Sequence, residues 1–256
     1  MCWSWQVSLV SACLEWSAAL CMHRRKADGR DQRFAHFIAA IAVMESTQGL
    51  LWFFALDHAS GHAWANRFLS FFIWLSAWVL IPLSIIRFAD GDLEDGERQP
   101  KGLPRARRRA VSVAYFVGQA LLIVALQAVG GAWETGVGPH HHQVWICTRA
   151  LTRFGEHVVG DSKAYLFCVG LCFVYVTMLA FAIWPMCPRW ERNAFLLIGI
   201  ATFSYFYYTL AASLEACSVW CWSAGSYTLF FLARPHLALA WQQDHASYRM
   251  VVPTGP

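Results

Sequence analysis

The stretch FAHFIAAIAVMESTQGLLWFFAL, Phe34 to Leu56, decides the fold. It runs for 23 residues with one acidic group, Glu45, and neither Lys nor Arg. At about 1.5 Å of rise per helical residue, that length crosses a hydrocarbon core of about 30 Å. In lipid every backbone amide must be satisfied within its own segment or in a closed barrel, and this stretch lacks the two-residue alternation of barrel strands. A membrane-spanning helix is what remains.

Working outward, six more apolar stretches of similar length follow the same logic: Trp3 to Met22, Phe68 to Ile86, Val111 to Gly130, Ala164 to Trp184, Ala194 to Leu214 and Trp220 to Ala240. The whole chain is 57% hydrophobic and 14% charged, with a mean hydropathy of +0.39. That leaves too little polar surface to clothe a soluble domain of 256 residues. The expected fold is all-α, a bundle of seven transmembrane helices over residues 1–241, followed by a short polar tail over 242–256.

Basic loops resist translocation, so the placement of Lys and Arg predicts orientation. Arg24, Arg25, Lys26, Arg30 and Arg33 follow the first stretch, and Arg87, Arg98, Lys101, Arg105, Arg107, Arg108 and Arg109 follow the third. Arg189 and Arg192 follow the fifth, whereas the intervening loops hold only Arg67, Arg149, Arg153 and Lys163. This pattern predicts an exoplasmic or lumenal N terminus, a cytosolic loop over 87–110, an exoplasmic loop over 131–163 and a cytosolic C terminus. The first stretch has no basic residue before it and a cluster just after it, which predicts an uncleaved signal anchor. Arg105, Arg107, Arg108 and Arg109 border the fourth stretch where anionic inner-leaflet lipid would attract them. No aromatic or groove-reading motif accompanies these arginines, so nucleic acid is not an expected partner.

Two familiar seven-helix functions meet contrary residues. A retinal protein needs a Schiff-base lysine in its last helix, and the lysines here are Lys26, Lys101 and Lys163. A G-protein-coupled receptor usually closes its third helix with an Asp-Arg-Tyr-type motif and carries Asn-Pro in its seventh. The corresponding segments read Ile85-Ile86-Arg87 and Ala233-Arg234-Pro235-His236. Arg234, only a turn or two from the helix end, is expected to snorkel to headgroup phosphates, and Pro235 to disturb the backbone and expose a carbonyl.

Chemistry concentrates in the first two stretches. Ser4, Ser8, Ser11 and Glu15 recur at steps of four, three and four, so their side chains share one face of a helix. Glu45, Gln48 and Trp52 share a face of the next. An ionised carboxylate near mid-bilayer costs about 3 kcal/mol or more, so such groups turn inward, pair or take up a proton. The serines also suit close helix packing and interhelical hydrogen bonds.

Cys2, Cys147, Cys217 and Cys221 fall on the exoplasmic side, where oxidising conditions favour disulfides, with Cys2 to Cys221 the preferred pair. Cys13, Cys21, Cys168, Cys172 and Cys187 fall in the membrane or on the cytosolic side, and the buried ones are expected to pack as small hydrophobes. Metal ligation is a competing use of the outer face: His58 and His62, and His157 and Asp161, are each four residues apart. An activated water there would attack a lipid ester or amide, with alkaline-ceramidase-type hydrolases as the analogy. Those enzymes carry a histidine pair near the final helix, where this chain has only His236. No resident cofactor is expected.

The chain resembles an uncharacterised family of multi-pass membrane proteins whose members begin Met-Cys-Trp-Ser or Met-Cys-Phe-Ser. The resemblance lies in Met1-Cys2-Trp3-Ser4, Ser8, Glu15, Asp31-Gln32-Arg33-Phe34, Thr47-Gln48 with Trp52, and Ser218-Val219-Trp220-Cys221-Trp222. A related pattern often has an acidic residue where Gly49 stands. The resemblance implies a seven-helix topology and no activity. The leading expectation is an intramembrane site centred on Glu15 and Glu45 for a small cation, proton or ligand. An outer-face metal-dependent lipid hydrolase comes second, and a noncatalytic structural or interaction protein third; an enzyme is not the favoured reading.

Overall fold

Each of the seven apolar stretches overlaps a helix among the described residues. The computed structural model describes residues 4–25, 29–56, 63–89, 105–128, 133–137, 143–147, 162–184, 189–210 and 224–237. Helix α1 spans Trp5–Arg25 and α2 spans Gly29–Leu51, prolonged by a π-helical turn over Trp52–Leu56. Ala63–Leu75 (α3), a π-helical turn over Ser76–Leu80 and Ile81–Ala89 (α4) make one continuous rod. Then come α5 (Arg105–Ala128), α6 (Ser162–Ile183), α7 (Arg189–Leu210) and α8 over 224–237. Among the described residues these make seven helical rods. Three segments are long and apolar enough to cross a membrane: Asp31–Phe54, Trp64–Arg87 and Ala106–Ala125.

Local signals fix the helix ends. The Ser4 hydroxyl accepts the Val7 N–H at 3.4 Å, an N-cap for α1. His23, Arg24 and Arg25 occupy its last turn, where cations favour the negative end of the helix dipole. Asp31 and Glu191 lie in the first turns of α2 and α7, the complementary placement. Contacts between these termini put the end of α1, the start of α2, the start of α7 and the end of α8 at one end of the bundle. We refer to it as the basic end.

Helices α1 and α2 form the most extensive interface among the described elements. They run antiparallel, with Trp5 edge-on to Phe53 at 5.6 Å and the Trp16 indole N–H donating to Ser46 Oγ at 3.3 Å. Gly49 permits the close approach: a Cβ there would lie 2.7 Å from Leu9 Cδ2. Further along, α2 joins α7 and α8 through rings, Phe34 stacking on Phe231 at 4.1 Å and Phe195 on Tyr227 at 4.4 Å, with Phe37 between them. First and last helices thus meet around α2.

Two prolines shape the bundle by what they cannot donate. In the π-helical turn the Ile81 N–H bonds Ser76 O, so the next donor in that register would be Pro82, which has no N–H. The carbonyl left over belongs to Ala77, and the Tyr175 hydroxyl of α6 donates to it at 2.6 Å. In α8, Pro235 leaves the carbonyl of Phe231 without its usual partner four residues on. Arg25 of α1 reaches that oxygen at 3.3 Å and the neighbouring Leu232 oxygen at 2.9 Å.

The all-α expectation needs one amendment. Strands β1 (Trp133–Val137) and β2 (Gln143–Cys147) pair antiparallel, with Trp133 opposite Cys147 and Val137 opposite Gln143. This hairpin docks on α3 because the Asn66 amide imitates a strand neighbour: its Nδ2 donates to Thr135 O at 2.8 Å and its Oδ1 accepts the Thr135 N–H at 2.9 Å. The hydroxyls of Ser70 and Thr135 pair 2.7 Å apart beneath it. Cys13 and Cys21 are exposed free thiols rather than interior packing, because the eight-residue step puts both on the outward face of α1. Of the disulfide candidates, Cys2, Cys217 and Cys221 lie outside the described residues, and Cys147 ends β2.

Candidate functional site

The α1–α2 hairpin carries a polar seam inside an apolar bundle. Ser8, Ser11 and Glu15 of α1 are 0, 4 and 2% exposed, and Glu45, Gln48 and Trp52 of α2 are 0, 0 and 3% exposed. The four- and three-residue steps that align each set are those visible in the sequence, and the antiparallel pairing turns the two faces together. Between the fixed contacts of Leu9 with Gly49 and Trp16 with Ser46, the register sets Ser11 level with Gln48 and Glu15 level with Glu45. The two carboxyl groups are electrostatic neighbours. Among the described residues, neither oxygen of Glu15 has a hydrogen-bond partner, and neither does the indole N–H of Trp52.

Ser4 does not join the seam: it is partly exposed and its hydroxyl is engaged in capping α1. Ser46 and Thr47 are likewise occupied, bonding the carbonyls of Ala42 and Val43 four residues back. Where an acidic residue often stands in the related pattern, Gly49 faces the Leu9 side chain, so any larger group there must displace leucine carbons. Trp52, which the sequence places on the face of Glu45 and Gln48, is buried there with them.

A second buried charge cluster lies at the basic end, built from residues far apart in sequence. Arg25 grips Asp31 with two donors, Nε to Oδ2 at 2.8 Å and Nη2 to Oδ1 at 2.9 Å. Arg234 bridges Asp31 at 3.0 Å and Glu191 at 3.2 Å, and its guanidinium lies 5.1 Å over the Phe34 ring. Asp31, Glu191 and Arg234 are all nearly inaccessible. Arg234 therefore does not snorkel outward; two carboxylates at helix N-termini hold it in the interior. Hydrogen bonding to Asp31 raises the Arg25 guanidinium above its already high range, so Arg25 stays charged.

The arginines at the head of α5 divide. Arg107 and Arg109 are exposed, while Arg108 donates to the Phe181 carbonyl at 3.3 Å and stacks 4.6 Å over its ring. The side chain of Arg105 lies outside the described residues. So do His58, His62, His157 and Asp161, and among the described residues no three His, Cys, Asp or Glu groups converge in a metal-holding arrangement. No family model, curated protein or solved structure matches the chain.

Proposed function

We propose that this is a multi-pass integral membrane protein of seven helices, N terminus exoplasmic or lumenal and C terminus cytosolic, whose α1–α2 seam binds or conducts a small cation, proton or protonated ligand. The observation that carries this reading is Glu15: a carboxyl group 2% exposed, beside a second buried carboxyl, with neither oxygen hydrogen-bonded among the described residues. Folding alone gives no reason to keep such a group, because a buried polar atom without a partner costs about 1–3 kcal/mol and a buried charge more. Two carboxylates held together in low dielectric favour any positive charge that enters between them. Ser8, Ser11 and Gln48 supply hydroxyl and amide oxygens along the same seam.

The test uses the full chain in two formats. In proteoliposomes, flux of protons or monovalent cations above protein-free vesicles should fall to background in Glu15→Gln and Glu45→Gln. In detergent, the cations and organic amines that raise the unfolding temperature of the parent should lose that effect in both variants. A Glu45→Gln protein that keeps every flux and every ligand-induced shift would refute the reading.

A further inference from the structure

An apolar cleft, separate from the polar seam, adjoins two arginines. The cleft lies among α2, α4, α6, α7 and α8, amounts to about 670 Å³ including its open mouth, and is lined by Phe37, Ile85, Val176, Ala180, Leu196 and Ile200 among others. Its one polar group, the Tyr227 hydroxyl, is already bonded to the Phe195 carbonyl at 3.2 Å. Both α6 and α7 contribute to its lining, in which Ile200 is 55% exposed, with the neighbouring Leu197 68% exposed. An apolar cleft with part of its lining exposed on a helix surface faces hydrocarbon in a bilayer, and water gains nothing by filling it.

Its basic end is charged. Arg192, Leu196 and Ile200 follow one another at four-residue steps on α7, so the guanidinium lies one turn below the lining. On the facing helix, Val176 and Ala180 lead by the same step to Trp184, just past the end of α6. Arg192 donates to the Trp184 carbonyl at 3.1 Å and stacks 4.6 Å over its ring. Its Nε and Nη2 share Asn193 Oδ1 at 3.3 Å each, which leaves donors of the five-donor fork uncommitted. Arg108 approaches the same helix end through Phe181. Among the described residues neither arginine has a carboxylate partner, in contrast to Arg25 and Arg234.

We infer that this is a binding site for a phospholipid of net negative headgroup: one acyl chain occupies the cleft and the phosphate takes the open donors of Arg192, with Arg108 beside it. The aromatic stacking holds both guanidinium planes in place before the lipid arrives, so little side-chain freedom is lost on binding. Apolar area gives affinity for any lipid chain. The two arginines give preference for anionic headgroups.

Native mass spectrometry of the protein released from nanodiscs of phosphatidylserine and phosphatidylcholine mixed one to four tests the site. The parent should retain one phospholipid whose phosphatidylserine-to-phosphatidylcholine ratio is raised about fivefold over that of the disc, a preference of the size that one charged contact supplies. Arg192→Gln should lose the enrichment while still carrying either lipid, and Ala180→Phe, which fills the cleft, should lose the retained lipid altogether. Should Ala180→Phe not fold, Arg192→Gln decides alone. Retention without headgroup preference, enrichment unchanged in Arg192→Gln, or no lipid retained by the parent would each overturn the proposal.

Discussion

The molecule buries carboxylates in two places and treats them in opposite ways. At the basic end, Asp31 and Glu191 meet Arg25 and Arg234, two negative groups against two positive, within 2.8–3.2 Å and backed by main-chain carbonyls. In the α1–α2 seam, Glu15 and Glu45 meet each other. A balanced network is a fastener: its charges are satisfied by one another and it ties α1, α2, α7 and α8 together. Two carboxyl groups side by side do not neutralise one another, which is what makes the seam the candidate site. The same residue type therefore reads as architecture in one place and as a candidate site in the other.

Breaking the fastener should produce the largest effect on stability. Asp31→Ala leaves the buried Arg234 and the half-buried Arg25 without their shared partner and should cost about 3–5 kcal/mol in chemical unfolding in detergent, because a stranded buried charge is worse than a deleted pair. Removing the Tyr175 hydroxyl should have a smaller effect of the same kind. Tyr175→Phe strands the Ala77 carbonyl and should cost about 1–3 kcal/mol, without altering lipid retention or cation response. Gly49→Ala forces Leu9 aside at the waist of the hairpin. It should cost about 1–3 kcal/mol as an overpacked contact, and because it changes the spacing of the seam it should also weaken any cation-dependent stabilisation.

The smallest expected effect sharpens the comparison most. Glu15→Gln, expected to end any cation response, should change unfolding free energy by less than about 1 kcal/mol or raise it, since it replaces a carboxyl without a hydrogen-bond partner among the described residues by a neutral group of the same shape. If Glu15→Gln costs as much as Asp31→Ala, the seam is a second fastener and the distinction collapses.

Much of this was legible in the sequence, for a physical reason. Helix periodicity and apolar length are local properties, so the stretch from Phe34 to Leu56 and the serine steps of α1 announced both the helices and the faces that would be buried. The seam followed because α1 and α2 are consecutive and pair as a hairpin. The fastener did not follow. Asp31 and Arg234 are 203 positions apart, and nothing local distinguishes a terminal arginine that snorkels from one drawn inward by two carboxylates. Pro235 gave a partial signal, marking a carbonyl in need of a donor, but the sequence named no donor. The β-hairpin escaped notice because its docking depends on one side chain, Asn66, acting as backbone.

The carbonyls emptied by proline carry a consequence for biosynthesis. The Phe231 oxygen belongs to the last rod of the bundle and its donor, Arg25, to the first. While the ribosome is still making the middle of the protein, Arg25 and Asp31 exist before their partners on α8 have been synthesised. Only the arrival of α8 supplies both the orphaned carbonyl and Arg234, so closure is recorded once, at the end, by a single event that joins head to tail. A nascent product that stops short of residue 224 lacks the carbonyls of Phe231 and Leu232 that Arg25 bonds and the Arg234 guanidinium that Asp31 bonds.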